Sequence, residues 1–129
     1  MWRSAVAVCV GGSAGCLLRW LLNVWFSGTP SIMPLGTLAA NLLGGYIVGV
    51  AIAFFALNTQ LAPEWRLLVI TGFCGGLTTF SSFSAEVVQL LRQDRALWAL
   101  CAIVLNLVGS LLMTFAGFAT FAGLKGSAS

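Results

Sequence analysis

The chain has 129 residues, of which 60% are hydrophobic and 7% are charged, and its formal net charge is +3. Soluble domains carry about 25% charged residues, so this chain lacks the polarity to cover a soluble helical bundle, and lipid is its expected solvent. The small net charge without a basic cluster excludes nucleic acid as a partner, and the absence of histidine removes the commonest general base and metal ligand.

Four apolar segments are each long enough to cross a bilayer, which takes roughly 20 helical residues. Short polar or turn-forming stretches separate them, so we predict transmembrane helices over residues 4–26, 33–57, 65–91 and 96–124. The predicted fold class is an all-α membrane protein, with a single multi-pass domain over residues 1–129.

Arg19 is the only charged side chain deep in a predicted span apart from Glu86. An ionisable residue inside a membrane is a functional candidate, and an arginine that stays protonated raises the local potential for an anion. The alternative is that Arg19, late in its span, extends to the headgroups. In either case a cation here argues against a cation exporter, which would need a carboxylate.

Asn41 is a polar residue in the first half of the second span. Its side-chain amide can donate two hydrogen bonds, either to a neighbouring helix or to a passing anion. The pairs Gly11-x-x-x-Gly15 and Gly45-x-x-x-Gly49 indicate close helix packing and carry no chemistry of their own.

The third span contains the run GFCGGLTTFSSFSAE at residues 72–86. Each glycine of its Gly-Gly pair weakens a helix by about 1 kcal/mol relative to alanine, so we predict a break in the middle of this helix. Carbonyls freed around Gly75 to Thr78 could coordinate a cation; alternatively, the glycine pair only permits close crossing. Phe80 and Phe83 share one helical face, and their electropositive ring edges could line an anion passage.

The fourth span carries Asn106, Ser110 and Thr114 at intervals of four residues. This spacing places them on one helical face. A single polar residue would favour a hydrogen bond between helices, whereas three in register indicate a path lined by polar side chains.

The positive charges are almost evenly divided between the two ends of the predicted bundle. One end holds Arg3, Arg66 and Lys125, and the other holds Arg92 and Arg95, with Arg19 nearest to it. Because the Lys/Arg bias sets membrane orientation, we predict that the chain inserts both ways and that opposite copies pair as an antiparallel homodimer. The alternative is a single orientation that these few charges do not reveal.

Four motifs in this sequence resemble those of one known family. They are Gly11-Gly12 to Arg19-Trp20, Gly36-Thr37 to Asn41, the run GFCGGLTTFSSFS at residues 72–84, and Asn106 to Thr114. On these motifs the chain is similar, over essentially its whole length, to the bacterial fluoride channels called CrcB or Fluc. The third motif is the most specific.

The resemblance implies a dual-topology homodimer in the bacterial inner membrane, with two antiparallel pores that export cytoplasmic fluoride by passive electrodiffusion. The pore positions that it implies are Arg19, Asn41, Phe80, Phe83, Asn106, Ser110 and Thr114. It also implies a structural sodium ion at the dimer centre, held by the backbone carbonyls of Gly75 and Thr78 with the polar Thr79 beside them.

Two other functions compete with a channel. A small multidrug-resistance-type, proton-coupled exporter would also have four helices and dual topology, but it needs a carboxylate in the first span, where this chain has Arg19. A non-transporting assembly subunit would explain the glycine pairs and leave the polar residues without a role. An enzyme is not expected, because no nucleophile–base pair is visible.

Overall fold

The computed structural model describes the backbone of residues 1–128 and the side chains of residues 1–127. Helix α1 covers Trp2–Phe26 and helix α2 covers Leu35–Leu57. A third span covers Pro63–Arg92, and a final helix covers Ala96–Ala128. All four are long and apolar enough to cross a membrane, which confirms the predicted all-α architecture.

The third span is broken in its middle, as predicted. Helix α3 comprises an α-helical turn at Pro63–Arg66, a π-helical stretch at Leu67–Cys74 and an α-helical turn at Gly75–Leu77. Thr78 and Thr79 then adopt extended backbone, with ψ angles of 156° and 120°. Helix α4 (Phe80–Arg92) completes the span, and the final helix is α5.

The break begins later than the glycine pair, which corrects the expected position of its start. Gly75 has helical φ and ψ angles of −63° and −38°, and Gly76 lies within the same α-helical turn. A Cβ on Gly76 would lie 2.5 Å from the carbonyl oxygen of Gly12 and 3.1 Å from the backbone nitrogen of Cys16. Gly76 therefore permits the close crossing of α1 and α3, and the helix ends at Leu77, one residue beyond it.

Glycines also form the crossings that the two spaced pairs predicted. A Cβ on Gly11 or on Gly15 would overlap the backbone of α3, and one on Gly45 would lie 2.9 Å from the Ser110 carbonyl oxygen. A Cβ on Gly49 would overlap the Thr114 carbonyl. The predicted packing role is confirmed: α1 packs closely on α3, and α2 on α5.

Buried side chains form two small apolar clusters. One joins Met33, Leu90, Ala99 and Ala102, and the other joins Leu22, Ala40 and Leu77 across α1, α2 and α3. Large apolar side chains cover the outer surface, as a lipid environment requires.

Candidate functional site

A groove of about 530 Å³ lies between α2, the broken third span and α5. It gathers six of the seven predicted pore residues: Asn41, Phe80, Phe83, Asn106, Ser110 and Thr114. The residues predicted to hold a cation, Gly75, Thr78 and Thr79, line the same groove. Among the described residues, none that lines this groove is charged.

Asn41 holds the broken backbone of the third span. Its Oδ1 accepts from the Thr79 N–H at 2.8 Å, and its Nδ2 donates to the Thr79 carbonyl at 3.2 Å. In an uninterrupted helix the Thr79 N–H would donate to the Gly75 carbonyl. The side chain from α2 thus replaces a bond that the break removes, and it leaves the Gly75 carbonyl without its helical donor.

Asn106 fixes the orientation of the Asn41 amide. The Asn41 Nδ2 donates to the Asn106 Oδ1 at 2.9 Å, and the Asn106 Nδ2 donates to the Ala102 carbonyl of its own helix at 2.9 Å. Both hydrogens of the Asn41 amide are therefore in use. Asn41 serves as a contact between α2, α4 and α5 in this arrangement, and it could donate to an anion only by exchanging a partner.

Thr79 starts the second half of the span. Its Oγ1 accepts from the Ser82 N–H at 3.1 Å and lies 3.3 Å from the Ser81 hydroxyl. A threonine that accepts from the third residue of the following helix is an N-cap. After the break, the helix therefore resumes at a defined residue, and Phe80 is the first residue of α4.

Phe80 and Phe83 meet edge to face in the groove. Their ring centroids are 5.5 Å apart and their planes are inclined at 78°, a geometry that turns the positive edge of one ring towards the face of the other. Phe83 is 6% exposed, whereas Phe80 is 72% exposed. The two rings therefore differ in environment, because Phe83 is packed within this chain and Phe80 projects from it.

Ser110 and Thr114 make different contributions to the polar side of α5. The Thr114 hydroxyl lies 3.0 Å from both the Gly45 carbonyl and the Ser110 carbonyl, to which it donates. The Ser110 hydroxyl has no hydrogen-bond partner among the described residues. Ser110 is thus a free donor in the groove, while Thr114 ties α5 to α2.

Arg19 lies outside the groove. Its Nε donates to the Gly76 carbonyl at 3.0 Å, and its Nη2 lies 3.7 Å from the Cys16 sulfur. The helical donor to the Gly76 carbonyl would be the Phe80 N–H, which lies beyond the break. Arg19 therefore caps the end of α3 from α1, one peptide away from the carbonyl that Asn41 leaves free.

The sequence pattern of the family described as "CrcB-like protein, Camphor Resistance (CrcB)" matches residues 6–118 of this chain. The chain belongs to the CrcB-like family. This confirms the resemblance drawn from the four motifs.

Curated relatives of this CrcB-like chain match it over nearly its whole length. The protein named Fluoride-specific ion channel FluC in Chromobacterium violaceum is 57% identical over 125 residues, which cover 97% of this chain and 99% of the relative. The protein of the same name in Tolumonas auensis is 57% identical over 127 residues, 98% of this chain and all of the relative. A third, in Pseudomonas putida, is 56% identical over 126 residues, 98% of this chain and 99% of the relative.

Family membership bears on two further predictions. The relatives are named ion channels, so the prediction that the chain is not an enzyme is confirmed. The four apolar helices make this CrcB-like chain a multi-pass membrane protein, and its relatives are bacterial, in agreement with an inner-membrane location.

Two contacts in this CrcB-like fold were not predicted. The Thr37 hydroxyl donates to the Glu86 carboxylate at 2.5 Å, which joins α2 to α4. Thr37 is 1% exposed, and it lies four residues before Asn41, so an i, i+4 polar pair on α2 is the signal that would have found it. In the second contact, the methyl group of Thr78 packs against Gly44, and a Cβ on Gly44 would overlap this methyl group.

Proposed function

We propose that this protein is a fluoride-selective channel that releases cytoplasmic fluoride by passive electrodiffusion. The observation that carries the proposal is one uncharged groove that holds Asn41, the Phe80–Phe83 pair and the free Ser110 hydroxyl. Relatives named fluoride-specific channels, which match nearly the full length, support the same function. The family match does not favour a proton-coupled exporter.

The chemistry of the groove suits a small, strongly hydrated anion. Such an ion must exchange its water for close donors, and the groove offers the Ser110 hydroxyl and the exposed ring of Phe80. Neutral donors hold an anion less tightly than a buried cation would, so the ion can also leave. Export then needs no energy source, because one charge moving through 100 mV gains about 2.3 kcal/mol.

We further propose that the channel is an antiparallel homodimer with two pores. If each span crosses the membrane, Arg3, Arg66 and Lys125 lie at one end and Arg92 and Arg95 at the other. Because the positive charges are nearly balanced, neither orientation of insertion is strongly favoured. Phe80, which is 72% exposed, lines the same groove as the polar Ser110, and a second copy beside the groove would cover this polar lining from lipid.

A sodium ion fits the backbone around the break. Hard cations bind oxygen ligands, and the Gly75 carbonyl has lost its helical donor because the Thr79 N–H binds Asn41. Gly75 and the extended Thr78 both line the groove. The Thr79 carbonyl and hydroxyl already have protein partners, so the proposal assigns the ion to Gly75 and Thr78. Two carbonyls are few for one ion, which favours a site shared by two copies.

Ion efflux from liposomes tests the channel. Anion efflux builds up a membrane potential that opposes further efflux. Once an ionophore dissipates this potential, vesicles that contain the purified protein should release fluoride rapidly and retain chloride. Equal release of both anions would reject fluoride selectivity, and release only with an imposed proton gradient would favour the exporter. Empty vesicles and a Phe80→Ile protein prepared in the same way are the controls.

The dimer and the ion have their own tests. The four native cysteines are first replaced by alanine. Single cysteines at Gln93 and at Thr59, which lie in connectors at opposite ends of the bundle, should then each be labelled from both faces of the membrane if insertion is dual. Labelling of each from one face only would reject dual topology. Replacement of sodium by N-methylglucamine should lower the unfolding temperature; equal stability in both salts would reject the sodium site and leave the channel proposal intact.

A further inference from the structure

A second groove lies at one end of the bundle, between the start of α1 and the start of α3. Its volume is about 350 Å³, and its polar residues are Arg3 and Glu64. Trp2 and Trp65 flank them, and Val10 and Leu68 are among the apolar residues that continue the groove. The seven-residue separation of Arg3 and Val10 on α1 corresponds to about 10 Å along the helix axis, so the groove extends from the end of the span towards its apolar middle.

The two charges in this groove do not neutralise each other. Arg3 and Glu64 line the same space, yet no ion pair joins them in the part of the chain that the structure describes. The Arg3 guanidinium lies 5.8 Å from the ring centroid of Trp2, within the range of a cation–π contact. The groove therefore presents a separated cation and anion beside aromatic rings at the end of a membrane span.

We propose that this groove binds the headgroup of a zwitterionic phospholipid that carries a primary ammonium group, phosphatidylethanolamine. The Arg3 guanidinium matches the phosphate, which it can bind through two N–H groups. The Glu64 carboxylate accepts hydrogen bonds from the ammonium. Tryptophan is enriched at the level of lipid headgroups, and one acyl chain lies along Val10 and Leu68.

The charge pattern distinguishes this lipid from two others with the same phosphate. A phosphatidylcholine headgroup has a quaternary nitrogen without N–H groups, so it cannot donate to Glu64. A phosphatidylglycerol headgroup has no cation, so Glu64 would face a net anion. This site lies apart from the groove that holds Asn41 and Phe80, and it does not depend on the channel proposal.

Native mass spectrometry of the full-length protein tests the site. The delipidated protein is titrated with an equimolar mixture of phosphatidylethanolamine, phosphatidylcholine and phosphatidylglycerol with identical acyl chains. We expect phosphatidylethanolamine to be retained preferentially. Glu64→Gln should reduce its preference over phosphatidylcholine by about five-fold, which converts to about 1 kcal/mol, the upper value for an exposed charge pair. Arg3→Gln should weaken retention of all three lipids.

Asp94→Asn and Arg95→Gln are the matched controls, because they make the same charge changes in the exposed connector between α4 and α5. Both should leave the lipid preference unchanged. Three results would overturn the proposal: no preference of the wild type for phosphatidylethanolamine, an unchanged preference in Glu64→Gln, or equal losses in Glu64→Gln and Asp94→Asn. Should Glu64→Gln not purify as a folded protein, Arg3→Gln decides alone, and unchanged retention of all three lipids in that variant rejects the site.

Discussion

Asn41 binds the peptide backbone of Thr79 on both its donor and its acceptor side, with 2.8 Å from the Thr79 nitrogen to Oδ1 and 3.2 Å from Nδ2 to the Thr79 carbonyl oxygen. A side-chain amide from α2 thereby supplies hydrogen-bond partners to the backbone N–H and carbonyl of the residue at which the third span is broken. The break is held by a neighbouring helix, so its geometry depends on how α2 and the third span are packed.

Asn41→Leu should destabilise the protein and slow fluoride efflux. Leucine has a similar size but offers no hydrogen bond, so the N–H and carbonyl of Thr79 lose their partners. Thr79 is half-buried, so we expect a total loss of about 1–2 kcal/mol, towards the low end of the range for unsatisfied buried groups. Thermal unfolding and a fluoride-electrode efflux assay measure the two effects. Asn58→Leu is the control, because the Asn58 side chain, just after α2, has one hydrogen-bond partner among the described residues, the Phe54 carbonyl one turn earlier. Equal losses in the two variants would contradict the role of Asn41.

Phe80→Ile and Phe83→Ile should both reduce fluoride flux, but they should differ in stability. Phe83 is 6% exposed, so its replacement leaves a packing defect of about 1–2 kcal/mol within each chain. Phe80 is 72% exposed in a single chain, so Phe80→Ile should leave the packing of that chain almost unchanged and act instead on dimer content. Unfolding temperature, dimer content and efflux are measured on the same preparations. Unchanged flux in both variants would remove the ring edges from the proposed pore.

Gly49→Ala and Gly117→Ala should each weaken the contact between α2 and α5. A Cβ on Gly49 would overlap the Thr114 carbonyl, and one on Gly117 would lie 2.9 Å from the Val50 nitrogen. Overpacking of this kind costs about 1–3 kcal/mol. Gly123→Ala is the matched control in α5, where nothing lies within 4 Å of the new methyl group, and it should gain about 0.5–1 kcal/mol from helix propensity. Destabilisation of all three variants alike would reject the close crossing as the cause.

Arg19→Gln and Arg19→Met separate the hydrogen bond of this residue from its charge. The Nε2 of glutamine occupies the same position along the side chain as the Nε of arginine, which donates to the Gly76 carbonyl. We expect Gln to keep most of the stability and Met to lose about 1 kcal/mol. A flux loss shared by both variants measures the contribution of the positive charge. Equal stability of the two proteins would mean that the bond to Gly76 does not support the end of α3.

The length and polarity of the segments were sufficient to predict the helices and the existence of the break. The position of the break was less predictable, because a glycine weakens a helix and also permits close packing, and the sequence does not distinguish these uses. In the structure Gly76 packs against Gly12 on α1 while remaining helical. The π-helical stretch Leu67–Cys74 has an apolar composition like that of the other spans, so composition offers no signal for it.

Most groove residues were predictable from spacing, but their partners were not. The stripe Asn106, Ser110 and Thr114 follows from a four-residue interval. The bond between Asn41 and Asn106 joins residues 65 positions apart, and it depends on the register of α2 against α5. For the same reason the sequence could not show that the Ser110 hydroxyl is free while that of Thr114 is bound.

The groove that contains Asn41, Phe80 and Ser110 has no carboxylate or histidine in its lining. These are the side chains that ordinarily titrate between acid and neutral pH, and the whole chain has no histidine. The groups that would face an ion in the proposed pore are hydroxyl, amide and ring-edge dipoles, whose strength does not vary with proton concentration. Acidification would therefore act on the permeating species, by converting fluoride into hydrofluoric acid, and would leave the discrimination of the lining between anions unchanged.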